Sequence, residues 1–342
     1  MILIQKDFFI MDQNTLYPML FQPYYKPVMW GGGNLAKVLH RALPEAKDPI
    51  GEAWELCDRE DVQSVVMNGP LAGKTITELV QKYPAELLGS KFQGGRFPLL
   101  VKIIDAGQKL SLQVHPDETA CELLGNGAQP KTEMWYIIHA DPEAKIIAGL
   151  QPGTETEEFL AKASSADCES CLTVYDSKPG DAYFIKAGLV HAIGAGNLLL
   201  EVQQNSDTTY RISDWGRVGT DGKPRQLHVE ESRKSINLSL TDSPLVPRAE
   251  NPVSGNQKYP VISDCPFFHV EDIRLSAAWN DATDGSSFHL VTAIDQTVKV
   301  IGKDEGVTEL SPGTSLLIPA NYGAYRIEPA CPTVSTVIKT TL

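Results

Sequence analysis

No stretch of the sequence approaches the roughly 18 consecutive apolar residues of a membrane-spanning helix, so no membrane partner is expected. Positive charge is scarce. Thirty Lys and Arg stand against 43 Asp and Glu, for a net charge of −13 and a pI near 5.0. A nucleic-acid binder presents a basic face, and this balance argues against one. Cysteine is thin as well: Cys57, Cys121, Cys168, Cys171, Cys265 and Cys331 are spread over 342 positions with no disulfide rhythm. That usage fits a reducing cytoplasm. Residues 1–16 lack the order of basic flank, apolar core and small-residue cleavage site of a secretory signal. They are expected to form an N-terminal extension, with Met11 an alternative start.

What is present is ordinary globular composition, 42% apolar and 21% charged. Trp30-Gly31-Gly32-Gly33 reads as a loop of close backbone approach, and Asn34–Leu43 and Thr75–Leu88 carry helical spacing. Phe97–Ile104, Leu110–His115, Glu133–Ile138, Ala144–Gly149, Asp181–Ile185 and Leu198–Gln203 read as strands, with a helix over Thr156–Leu172. A Pro-bearing tract, 241–256, divides a region 17–240 from a C-terminal region 257–342 of closely spaced short strands, sandwich or barrel. Lys178–Ala187 is echoed 133 residues later by Ser311–Ala320, each a Pro-Gly turn launching an apolar strand. In that register His191 falls opposite Ala324. The expectation is a mainly β chain of two related barrels with peripheral helices, the second lacking metal ligands and serving a structural role.

Four residues form a candidate metal constellation. In the alternating segment Leu110–His115, Gln113 and His115 share a face, Glu133 opens the next strand, and His191 follows a turn. Two imidazoles, a carboxylate and an amide oxygen suit a borderline divalent ion, zinc first. The alternative is a strand-capping His115 before Pro116 and a hydrogen-bonded loop His191. The other five histidines have no partnered spacing, and Cys168/Cys171 reads as a pair of structural thiols. Lys102 lies inside an apolar strand, where an ammonium is costly unless paired or functional. Lys131 lies two residues before Glu133, and Arg211 and Arg217 follow the strand of Glu201. Arg217 reads either as an anion clamp or as a salt-bridge partner of Asp214.

The blocks VMWGGG (Val28–Gly33), IGEAWE (Ile50–Glu55), PLLVKIIDAGQKLSLQVHPD (Pro98–Asp117), KTEMWYII (Lys131–Ile138), AGLVHAIGAG (Ala187–Gly196) and EVQQNSDTTYR (Glu201–Arg211), in this order, resemble type I mannose-6-phosphate isomerases, in their short bacterial form. The resemblance spans Tyr17 to Leu342. It implies a cupin-superfamily fold of two jelly-roll barrels, the second degenerate, and one Zn²⁺ per chain on Gln113, His115, Glu133 and His191. It implies active-site roles for Lys102, Lys131, Glu201 and Arg211, and substrate contacts at Ser111, Arg217, Trp30 and Glu52. The implied substrate is a phosphosugar, turned over by a cytoplasmic monomer or weak homodimer through a cis-enediol. Lys131 or Glu201 would be the base. A non-catalytic phosphosugar-binding cupin, or a cupin epimerase or dioxygenase, is the alternative.

Overall fold

A computed structural model describes residues 16–163, 166–219, 222–247 and 255–342. Most of the expected N-terminal extension and the middle of the 241–256 tract lie outside the described residues.

The described residues are mainly β, arranged as four antiparallel sheets. A seven-stranded sheet runs in the order Leu245–Val246, Ala182–Ile185, Glu133–Ala140, Asn197–Gln204, Leu99–Ala106, Ile50–Leu56, Tyr24–Pro27. It faces a five-stranded sheet of Tyr210–Ser213, Leu112–Val114, His191–Ile193, Lys145–Leu150 and Leu172–Asp176. Ile104, Ile137 and Leu199 of the large sheet share one apolar core with Ile146, Ala148 and Ile193 of the small one. In the C-terminal half a six-stranded sheet runs Met19–Leu20, Ser315–Ile318, His289–Ala293, Ser335–Thr341, His269–Leu275, Gln257–Ile262. It stacks in the same way on Trp279–Ala282, Ala324–Pro329, Val298–Ile301 and Val307–Leu310.

Among the described residues no sheet closes into the expected barrel. Closure requires the outermost strands of a sheet to pair with each other. Here Leu245–Val246 and Tyr24–Pro27 each have a neighbour on one side only, as do the end strands of the other three sheets. The jelly-roll expectation therefore gives way to two stacks of open sheets. The alternation in each strand is satisfied equally well by either, because it reports a buried face and not a closed ladder.

The relation between the halves does hold, and extends well past ten residues. From Ile50–Leu56 to Asn197–Gln204 and from Gln257–Ile262 to Ser335–Thr341, nine strands follow in the same chain order into the same sheet positions. Ala182–Ile185 and Ser315–Ile318 are equivalent strands launched from equivalent turns, with Gly180 at φ 86° and Gly313 at φ 80°. The halves also interlock. Met19–Leu20 pairs with Ser315–Ile318, and a third core joins Val101, Met134 and Leu200 to Phe288, Leu290 and Ile338.

Helices are short and lie outside the sheets. The predicted Thr75–Leu88 helix is two, Ile76–Lys82 with a Thr75/Glu78 capping box and Pro84–Leu88, because Pro84 cannot continue the first. Of the expected Thr156–Leu172 helix the described part is Thr156–Ala163, and Cys168 and Cys171 lie in a 3₁₀ segment with their side chains in the core. Among the described residues no helix is long and apolar enough to cross a membrane. A Cβ on Gly32 would come within 2.0 Å of Asp105 Oδ1, and Asp105 accepts the Leu35 N–H at 2.8 Å. The glycine loop is thus packed tightly against the large sheet.

Candidate metal centre and active site

Along each inner face the residues change from apolar to polar at the same level. Ile104 gives way to Lys102, Ile137 and Trp135 to Glu133, Leu199 to Glu201, each two residues apart on one side of its strand. On the facing sheet Gln113 stands opposite both His191 and Arg211, so these three form one cross-strand row. The polar ends of the two sheets meet at one end of the N-terminal stack.

His115, Glu133 and His191 are brought together there, each no more than 1% exposed. One ligand atom from each lies within 4.8 Å of the others. His115 Nε2 is 3.4 Å from Glu133 Oε2, and His191 Nε2 is 3.5 Å from Glu133 Oε1. Each ring turns its other nitrogen to a backbone carbonyl, His115 Nδ1 to Thr208 O at 2.9 Å and His191 Nδ1 to Leu189 O at 2.8 Å. A carbonyl only accepts, so Nδ1 carries the proton and the Nε2 lone pairs face the cluster.

His115 Nε2 and both Glu133 oxygens are buried without a hydrogen-bond partner. Lys131 Nζ approaches Glu133 Oε2 to 2.9 Å but off the hydrogen-bonding direction. A buried acceptor left unsatisfied costs about 1–3 kcal/mol. A divalent cation would satisfy these converging acceptors at once, so the residues fit a metal ion. Burial, followed by Lys131, pushes the His115 pKa down to about 3, and burial lowers that of His191. Both rings are then neutral, the form that ligates metal. Burial works against ionisation of Glu133, yet the Lys131 ammonium holds its carboxyl well below the usual carboxylate range. Gln113 places its amide nitrogen 3.2 Å from His191 Nε2, and a half-turn of the amide presents its oxygen instead.

A second group adjoins the first. Lys102 Nζ lies 3.1 Å from Glu201 Oε2 and 3.7 Å from Glu52 Oε2. Each carboxylate is also held by an indole N–H, Glu201 by Trp135 at 3.1 Å and Glu52 by Trp54 at 2.7 Å. Burial raises the pKa of Glu201 despite Lys102. Burial would do the same to Glu52, but Lys102, Lys26 and the Trp54 N–H outweigh it and lower its pKa.

The other predicted residues make contacts of their own. Arg217 bonds the Lys109 carbonyl at 2.5 Å and Asp214 at 2.6 Å, the salt bridge that the spacing also allowed. Arg225 pairs with the same carboxylate. Arg211 donates to Gln226 O at 2.8 Å, and its Nε is buried and unpaired. Ser111 is buried one residue before the Leu112–Val114 strand, and Trp30 packs into the apolar core.

Sequence reasoning passed over Asp207 and Lys26. The Asp207 carboxyl is lowered, against burial, by Lys102, Lys26, Lys131 and Arg59, and Lys26 lies 3.8 Å from Glu52. Asp207 sits inside the EVQQNSDTTYR block, but on a loop whose alternation says nothing about direction. A cleft of about 1220 Å³ opens alongside, with Asp207 and Thr208 in its wall.

A family model described as the catalytic domain of type I phosphomannose isomerase matches residues 19–132. The chain is 35% identical over 319 residues to the probable mannose-6-phosphate isomerase GmuF of Bacillus subtilis, covering 92% of this chain and 97% of that one. It is 35% identical over 318 residues to the mannose-6-phosphate isomerase ManA of the same organism, covering 92% and 96%. A crystal structure of mannose 6-phosphate isomerase from Bacillus subtilis superposes with a TM-score of 0.85 at 29% identity, over 96% of this chain and 100% of that one. The apo phosphomannose isomerase of Salmonella typhimurium shares the fold, with a TM-score of 0.73 at 15% identity over 95% and 99%. With near-complete coverage of its relatives at this identity, the chain belongs to the type I mannose-6-phosphate isomerase family.

Proposed function

We propose that the protein is a zinc-dependent aldose–ketose isomerase that interconverts mannose 6-phosphate and fructose 6-phosphate through a cis-enediol. The observation that carries this reading is the buried His115–Glu133–His191 cluster, with its unpaired acceptors, set beside the Lys102–Glu201 pair in a chain of this family. Gln113 joins these three as the fourth ligand of one ion per chain. Once bound, the ion supplies Lewis-acid stabilisation of the negative charge that builds on oxygen when a carbon acid next to a carbonyl loses its proton.

The chain's own groups do the rest. Glu201 is fixed by the Trp135 N–H on one oxygen and by Lys102 on the other, and burial biases it toward binding a proton. It is placed to carry the proton between C1 and C2; a positioned acid–base of this kind contributes about 10²–10⁴-fold. Lys131, against Glu133, is the alternative carrier. Arg211, in the row of Gln113 and His191, holds a permanent positive charge near the developing enediolate.

Arg211, Arg217 and Arg225 gather around the single carboxylate of Asp214. The excess positive charge there suits a phosphate, with Ser111 on the adjoining strand end. A protein of net charge −13 thereby keeps a locally positive pocket for one small anion. Glu52, through its contact with Lys102, and Trp30 are the further substrate contacts of this reading.

The test is a coupled assay of fructose 6-phosphate formation before and after exhaustive chelation. Activity should disappear with the metal and return on adding Zn²⁺. Full turnover in metal-free protein would refute the reading, as would phosphosugar binding with no turnover in the zinc-loaded protein.

A further inference from the structure

The C-terminal stack also turns from apolar to polar at one end. On its inner faces Ile273 gives way to Glu271, Val291 to His289, Val337 to Lys339, Ile327 to Tyr325, and Trp279 to Asp281. Ladder register fixes the counterparts. Lys339 pairs with Glu271 as Glu201 pairs with Lys102, and His289 opposite Ile318 matches Glu133 opposite Ile185. Lys258 opposite Ile273 matches Glu52 opposite Ile104. The charges are inverted. Where the first stack has Glu52–Lys102–Glu201, the second has Lys258–Glu271–Lys339, with contacts of 2.9 Å and 2.8 Å.

Ala324, the residue the echo sets against His191, pairs with Ala282 and points to the outer face. The segment between Ile318 and the next inner position is one residue longer than after Ile185, so the inner face there carries Tyr325.

Lys258, Glu271, Asp281, His289 and Lys339 border a cavity of about 390 Å³. Its charged lining is balanced, Lys91, Lys258 and Lys339 against Glu271, Asp281 and Asp284. Lys339 bridges Asp281 and Glu271 at 2.8 Å each, so an ammonium already neutralises the carboxylates that would otherwise draw a cation. That bridge uses two of its three N–H donors. The Tyr325 hydroxyl faces Asp281, and His289 Nδ1 lies 2.7 Å from the same hydroxyl. With the phenol donating to Asp281 it accepts from Nδ1–H, which leaves His289 Nε2 an acceptor. Nε2 has no hydrogen bond among the described residues, and burial, then Lys339, keeps the ring neutral by lowering its pKa to about 4.

The geometry points to a second, metal-free ligand pocket at this end of the C-terminal stack, built for a small neutral polyhydroxylated molecule such as a free monosaccharide or sugar alcohol. A hydroxyl group both donates and accepts, matching a pocket whose lining offers the third Lys339 N–H as donor and His289 Nε2 as acceptor and whose lysines and carboxylates balance. An anion would meet three carboxylates and a cation three ammoniums. The volume lies at the small end of ligand sites. The inference stands apart from the isomerase reading and can fail without it.

Saturation-transfer NMR with D-mannose and D-mannitol tests it on the full-length, metal-loaded protein, with mannose 6-phosphate kept saturating so that the catalytic cleft is filled. The expected result is saturable millimolar binding that weakens about tenfold in His289→Leu, the loss of one hydrogen bond. His289→Gln, which keeps an acceptor, should lose less, and phosphosugar turnover should stay at the wild-type level in both. Absence of saturable binding to the wild type overturns the proposal. So does binding that His289→Leu leaves unchanged, binding that mannose 6-phosphate displaces, or tighter binding of inorganic phosphate at these residues.

Discussion

The two halves of this chain share nine strands in one order and differ at a handful of inner-face positions. Gln113, Glu133 and His191 stand at one polar end; Asp281, His289 and Tyr325 stand at the other. In the first set both Glu133 oxygens lie buried without a hydrogen bond, facing His115 Nε2; in the second, Lys339 and Tyr325 satisfy the Asp281 carboxylate. The apolar alternation that folds both halves is the same. On the proposed reading, chemistry is carried by a few positions at the rim of a common frame, as expected when function is grafted onto fold.

Paired substitutions at equivalent positions sharpen this contrast. The largest difference is expected at His191 and its counterpart Tyr325. His191→Ala should lower turnover by a factor on the order of 10³, the scale of losing charge stabilisation at a developing oxyanion. Tyr325→Phe should leave kcat within a factor of two of wild type, about the scatter of a neutral change. A comparable fall in both would abolish the distinction between the halves.

Arg211→Ala comes next. It should keep the metal complement and the fold while kcat falls by about 10²–10³-fold. Wild-type kcat in a metal-replete sample would remove Arg211 from the mechanism.

The inverted triads give a stability pair. Lys102→Met strands Glu201 and Glu52 in a fully buried site and should cost about 3–5 kcal/mol in urea unfolding. Glu271→Gln leaves Lys339 with Asp281 and sits nearer solvent, so about 1 kcal/mol is expected. Equal costs would mean that the two triads share one structural job. The smallest effect belongs to Trp135→Phe, which removes only the N–H to Glu201. It should reduce kcat by about tenfold, equivalent to one hydrogen bond, with KM little changed. A change confined to KM would assign Trp135 to substrate binding.

How far the sequence already showed this differs from residue to residue. The strict alternation of Leu110–His115 put Gln113 and His115 on one face, and the order of strands put Glu133 and His191 within reach. Lys102 was conspicuous because an ammonium in an apolar strand needs partners, and Glu201 and Glu52 are those partners. Barrel closure was illegible, since period-two patterning records burial and is silent about which edges pair. The pairing of Met19–Leu20 with a strand almost 300 residues away is non-local in the same sense. The Ala324 register failed for a countable reason: one extra loop residue turns the other face inward. Arg217 and Asp214, three apart, could be read as a clamp or as a salt bridge, and only side-chain geometry separates the two.

Metal stoichiometry tests most directly the claim that one half alone is equipped for catalysis. Elemental analysis of the purified chain and of the His191→Ala and Tyr325→Phe variants should give one zinc per wild-type chain, close to none in the first variant, and one in the second. Two ions per chain, or a loss of metal on changing Tyr325, would contradict it.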